Sequence, residues 1–149
     1  MAKKYLLILP CSKQKKQLNN VSALDLYDGP FYKITKKYFL SNVDILIISA
    51  KYGLIRSSEI ISYYDQKMTI ERARELSNNI RIKLNELFKR NHYDKIFINL
   101  GRTYMLVLED SKWVLEGENV YCASGKIGER LHQLKNWLKE ISSEDADLL

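Results

Sequence analysis

The chain has 149 residues, of which 24 are basic and 18 acidic, giving a formal net charge of +6. That length allows one domain with a real core, and a hydrophobic content of 46% argues against disorder. No apolar run approaches the roughly 18 residues that span a bilayer, and Tyr5–Leu9 is too short for a signal-peptide core. The expected protein stays in the cytoplasm and has no membrane partner.

Tyr5-Leu6-Leu7-Ile8-Leu9 reads as a buried strand, ended by the abrupt change to Pro10-Cys11-Ser12-Lys13-Gln14-Lys15-Lys16. A thiol, a hydroxyl and several ammonium groups at a strand end suit a polar, anionic ligand. Cys11 reads equally as a small buried hydrophobe. Phe31, Ile34 and Tyr38 mark one face of a helix over about 31–40, and Asp44–Ile48 is a second buried strand, followed by Ser49-Ala50-Lys51-Tyr52-Gly53-Leu54. Tyr63-Tyr64-Asp65 precedes Thr69, an N-cap for a long amphipathic helix to about Arg90. Asp65 reads either as a general base among aromatic rings or as a cap of the turn that opens this helix.

Lys95–Leu100 and Asn119–Ala123 are the remaining strands, with Trp113-Val114-Leu115 as a further edge strand. They lead into Gly101-Arg102-Thr103-Tyr104 and Ser124-Gly125-Lys126-Ile127-Gly128. Gly125 and Gly128 permit close backbone approach at a helix start, and Ser124 also reads as an ordinary cap. The upstream glycine and following hydroxyl residue of a P-loop are missing around Lys126. Ile127, Leu131, Leu134, Leu138 and Ile141 form the apolar stripe of a last helix. Residues 142–149 hold three acids and no base, and are expected to be a disordered tail on a single domain of residues 1–141.

The alternation predicts an α/β three-layer sandwich with a mostly parallel sheet of four or five strands. In such a sheet the four strand-end loops converge on one edge as a composite site. Cys11 and Cys122 are the two cysteines, both expected as thiols, and His92 and His132 lie far from them in sequence. No metal and no cofactor are expected. Residues 1–141 carry +9, which makes nucleic acid a reasonable partner. Tyr27, Tyr52, Tyr64 and Tyr104 fall in or beside the loops, either to stack on a base or to fill the rim of the core.

The ordered series Cys11-Ser12-x-x-Lys15, Leu26-Tyr27, Ser49-Ala50-Lys51-Tyr52-Gly53-Leu54, Tyr64-Asp65, Gly101-x-x-Tyr104 and Gly125-Lys126-Ile127-Gly128 resembles a family of small prokaryotic and phage proteins labelled YaaA-like. Pro10-Cys11-Ser12-x-x-Lys15 is also similar to a segment of archaeosine synthases, although the Pro-Tyr that follows the lysine there is Lys16-Gln17 here. These resemblances imply a domain that handles nucleobases or nucleosides, with an architecture like that of uracil-DNA glycosylases.

The expected function is an enzyme on a base in nucleic acid, DNA first, that hydrolyses an N-glycosidic bond. The alternatives are a non-catalytic DNA-binding stress-response protein and an enzyme on free nucleosides or nucleotides. Asp65 is the candidate carboxylate, with Lys51 and Cys11 as the other catalytic candidates. Tyr27 and Tyr52 are the stacking walls, and Lys15, Lys51 and Lys126 the phosphate contacts. Ser12, Ser49, Tyr64, Gly101, Tyr104 and Gly125 complete the expected binding site. No protein partner is expected.

Overall fold

Residues Tyr5–Pro10 form the first strand, and all six are buried. A strand closed to water on both faces belongs in the middle of a parallel sheet covered on both sides. The computed structural model, which describes residues 3–38 and 40–147, places it there. In chain order the elements are β1 (Tyr5–Pro10), β2 (Val21–Ser22), α1 (Ala23–Leu26), α2 (Pro30–Lys37), β3 (Val43–Ser49), β4 (Gly53–Arg56) and β5 (Ile60–Ile61). There follow α3 (Ile70–Arg90), β6 (Lys95–Ile98), α4 (Arg102–Met105), a 3-10 turn (Leu106–Ser111), α5 (Lys112–Leu115), β7 (Val120–Cys122) and α6 (Ile127–Asp147). The main sheet has the order β4-β3-β1-β6-β7, parallel except for β4.

Alternation along β1 divides the core. Tyr5, Leu7 and Leu9 face Phe31 and Tyr32 of α2 and Leu134, Trp137 and Leu138 of α6. Leu6 and Ile8 face Ala73, Leu76, Ile80 and Leu84 of α3, with Val107 and Leu108 of the 3-10 turn. Three layers result, as expected for α/β.

Thr69 accepts a hydrogen bond from the Arg72 N–H at 3.0 Å, so α3 starts where its capping residue sits. The four parallel strands occur at the expected places, their ends differing by one or two residues.

Other expectations need correction. Trp113-Val114-Leu115 lies in α5 rather than a strand: Val114 is buried, and the Trp113 ring meets Phe88 edge-on with centroids 5.2 Å apart. The 31–40 helix starts at Pro30 and stops at Lys37, while Phe39 lies outside the described residues. β4 was not expected, because Gly53-Leu54-Ile55-Arg56 is too short to show a period. It returns antiparallel from β3 through Ala50-Lys51-Tyr52, and Gly53 takes φ 76°, the left-handed conformation that closes a three-residue hairpin.

Residues 142–147 are helical, where a disordered tail was expected; Leu148 and Leu149 lie outside the described residues. Glu144 explains the extension. It accepts a hydrogen bond from the Tyr5 hydroxyl at 2.9 Å, pairs with Lys95, and lies 3.8 Å from Lys3. Lys95 also reaches Glu140 at 3.1 Å. No helix among the described residues is long and apolar enough to cross a membrane.

The Lys95 hydrogen bond holds the Glu144 carboxyl below its ordinary value of 4.5. A depressed carboxyl stabilises the fold above its unfolded pKa, and that stability is lost as pH falls through the folded value. Glu144→Gln is therefore expected to lower the melting temperature at pH 7, with the deficit shrinking below about pH 4.5. Thermal melts of the two proteins across pH 3–7 check this. A deficit that persists at the acid end would assign it to packing instead of charge.

Candidate functional site

Strand β1 runs on into α1 and α2 on one face of the sheet, whereas β6 runs into α4 and the 3-10 turn against α3 on the other. Connections that part in this way open a crevice at the carboxyl ends of neighbouring parallel strands. Cys11, next after β1, and Tyr104, in α4, meet across that crevice. The thiol and the phenol share a hydrogen bond at 3.0 Å.

This bridge stands between two clefts, and both residues line each of them. The first cleft, of about 400 Å³, has Ser12, Lys13, Lys15, Asp65 and Met68 around it. The second, of about 430 Å³, is bounded by Gly29, Phe31, Gly101, Ile127 and Arg130. A smaller groove of about 250 Å³ between β4 and α3, near Leu54, Ile82 and Glu86, lies away from these strand ends.

Asp65 reaches the first cleft because its segment is stitched to the loop after β1. β5 pairs with β2, the Tyr63 N–H bonds the Leu18 carbonyl at 3.0 Å, and the Ala23 N–H bonds that of Glu59 at 2.8 Å. Beneath this segment lies a row of buried hydroxyls. Tyr64 Oη is 2.6 Å from Tyr27 Oη and 2.8 Å from Ser49 Oγ. Ser49 Oγ also accepts the backbone N–H groups of Lys51 and Tyr52, at 3.2 and 3.0 Å, fixing the hairpin turn. Lys15 is tied to Tyr27 by a backbone bridge, and its ammonium lies 4.6 Å from the centre of the Tyr64 ring.

Three expected ligand contacts are therefore interior parts. Tyr27 and Ser49 are 0% exposed and Tyr64 5%, so none can stack on or bind a base; they form the floor under the loops. Burial pushes the Tyr27 phenol up to about 12. It pushes those of Tyr64 and Tyr104 higher, in both cases with the Cys11 thiol adding to the shift. These phenols are neutral hydrogen-bonding groups at physiological pH, not bases.

Cys11, Ser12, Lys15, Asp65, Gly101 and Tyr104 do come together around the two clefts. Lys51, Tyr52, Gly125 and Lys126 line neither. The Lys51 ammonium lies over the Tyr52 ring at 5.2 Å, and the Tyr52 hydroxyl bonds the Ser62 carbonyl. Gly125, at φ 93°, belongs to the turn ahead of α6, and Lys126 is exposed. The first bond of α6 runs from the Arg130 N–H to the Lys126 carbonyl, so Ser124 is not its cap.

Nor does Asp65 cap α3. It is exposed, four residues ahead of Thr69, and makes no hydrogen bond or ion pair among the described residues. Among those residues no three His, Cys, Asp or Glu side chains are grouped to hold a metal ion.

Arg130 was not anticipated. Its signal is a charge inside the buried stripe of α6, which runs Arg130, Leu134, Trp137, Leu138, Ile141; Ile127 is 59% exposed.

Tyr64→Phe removes the shared partner of two buried hydroxyls. It is expected to cost about 1–2 kcal/mol, read as a lower denaturant midpoint with an unchanged slope. Wild-type stability in that variant would mean that Tyr27 and Ser49 re-pair directly.

No relative is found among curated proteins. Among solved structures, that of AF0587, described as a protein of unknown function, is similar with a TM-score of 0.55 and 16% identity. The similarity covers 91% of this chain and 44% of the other, so the chain spans less than half the length of that protein and the likeness is one of fold. A family model matches residues 6–136, from the second residue of β1 to well within α6. The chain belongs to the family of unknown function DUF6884.

Proposed function

We propose that this protein is a nucleobase-directed enzyme that hydrolyses an N-glycosidic bond in nucleic acid, on a glycosylase-like α/β frame. The observation that carries the reading is Asp65. It is the sole acid among the residues lining the first cleft, it is unpaired, and Lys13, Lys15 and Lys67 line the same cleft. A carboxylate opposite the strand ends orients a water and stabilises positive charge growing on the sugar, while lysines at the rim hold flanking phosphates. Tyr104 takes over the wall expected of Tyr27. Its neutral phenol and the Cys11 thiol offer the base a hydrogen-bonding edge.

A second reading, an enzyme on free nucleotides, is favoured by the size of the clefts. About 400 and 430 Å³ suit a single small ligand each.

Release of free base from DNA and RNA carrying modified bases, followed by chromatography and mass spectrometry, tests the reaction. Asp65→Asn is expected to lower turnover by roughly 10²-fold or more, with binding and melting temperature close to wild type because Asp65 has no partner to lose. Full turnover in this variant would leave the proposed chemistry without its carboxylate.

Replacing Lys13 and Lys15 together with alanine is expected to reduce the salt dependence of duplex binding by about 2 in the log–log slope. Titrations from 50 to 200 mM salt measure it. An unchanged slope would remove this cleft from the nucleic-acid surface.

A further inference from the structure

The second cleft holds a cation that the protein itself does not neutralise. Arg130 is 9% exposed, and no carboxylate among the described residues lies within ion-pair distance of it. One guanidinium nitrogen, Nη1, donates to Asn99 Oδ1 at 3.2 Å, and the group lies 5.3 Å from the centre of the Phe31 ring. Nε has no partner, and neither has the Asn99 amide nitrogen. Burial lowers the pKa of the group, yet a guanidinium stays charged at neutral pH. A buried charge without a counter-ion costs stability, so its retention calls for a partner that comes from outside.

The surroundings state the chemistry of that partner. Nε is enclosed and Nη1 is held by Asn99, so Nη2 is the guanidinium nitrogen left to donate to an oxyanion oxygen. Nη2 is the nitrogen nearest Gly101, 3.4 Å from where a β-carbon there would stand, so the missing side chain leaves the approach open. The amino ends of α2, at Gly29–Phe31, and of α6, at Ile127, both border the cleft, and each presents the positive end of its dipole. Lys13 adds a second cation, and no acid among the described residues lines the space. The wall also holds the rings of Phe31 and Tyr104 and the exposed Ile127, beside the polar Ser12 and Gln14.

We infer that this cleft binds the phosphomonoester of a nucleotide, with Arg130 and Lys13 on the phosphate and the base against Phe31, Tyr104 and Ile127. The inference shares with the proposed function the nucleotide as ligand, but not the reaction. It is read as binding, and it stands or falls whether or not Asp65 hydrolyses anything. The same phosphomonoester is offered by a free nucleotide and by a 5′-phosphorylated end of a nucleic acid.

Calorimetric titration with the four ribonucleoside 5′-monophosphates, their nucleosides, inorganic phosphate, and a short oligonucleotide with and without a 5′-phosphate tests this. A monophosphate is expected to bind at least tenfold more tightly than its nucleoside. Binding of the 5′-phosphorylated oligonucleotide but not of free monophosphate would support the site and identify the strand end as the source. Arg130→Lys is expected to weaken the phosphate-dependent binding about tenfold or more, since a single ammonium cannot hold Asn99 and the phosphate as Nη1 and Nη2 do. Arg130→Met is expected to abolish it while the melting temperature holds or rises, because an uncompensated buried charge has been removed. Gly101→Ala, which closes the approach to Nη2, is expected to weaken binding without unfolding. Equal affinity for nucleotide and nucleoside, unchanged binding in Arg130→Met and Gly101→Ala, or no binding of any probe would overturn the inference.

Discussion

Everything at the carboxyl edge depends on β1 lying between two parallel neighbours whose chain continuations leave in opposite directions. Because β1 and β6 are hydrogen-bonded side by side, Cys11 and Gly101 emerge next to one another. Because one connection turns toward α2 and the other toward α3, the space between them is left unfilled by main chain. The Cys11–Tyr104 hydrogen bond crosses the gap, and it stands between two compartments of nearly equal volume.

The two compartments differ in chemistry even though they share a wall. One has three lysines at its rim and a free carboxylate; the other has the rings of Phe31, Tyr32 and Tyr104 and a guanidinium without a counter-ion. The divide follows from which face each loop serves. The first compartment is closed by the β5–α3 segment and the second by the starts of α2 and α6, while Cys11, Ser12, Lys13 and Tyr104 line both.

Much of this was legible in the residues. The strands of the parallel sheet are dense apolar runs, and α3 carries its own cap and stripe, so local signals and tertiary packing agree there. Convergence of the loops after β1 and β6 followed from parallel topology, whereas Lys51, Tyr52, Gly125 and Lys126 of the other two loops line neither cleft. What composition could not separate was rim from interior. Tyr27 and Tyr64 have the same side chain as Tyr104, and only the stitching of residues 57–65 onto 18–24 puts them underneath. Arg130 was hidden because Ile127, Leu131 and Leu134 make an acceptable helical stripe. The packed face is turned from it by one position, which brings a charge into the core. Glu144 was read as part of an acidic tail because its partners, Tyr5 and Lys95, lie on strands distant in sequence.

The central position of β1 has a cost during synthesis. Its partners β3 and β6 are translated later, and Tyr5 must wait for Lys95 before its second edge is covered. At ribosomal speeds of roughly 5–20 residues per second, that is an interval of about 5–20 s. Throughout it an apolar strand has at least one bare edge, the kind of surface that recruits chaperones or pairs with a neighbouring nascent chain. Since Tyr5 is also held by Glu144 of the last helix, its final contact forms only after α6 has left the exit tunnel.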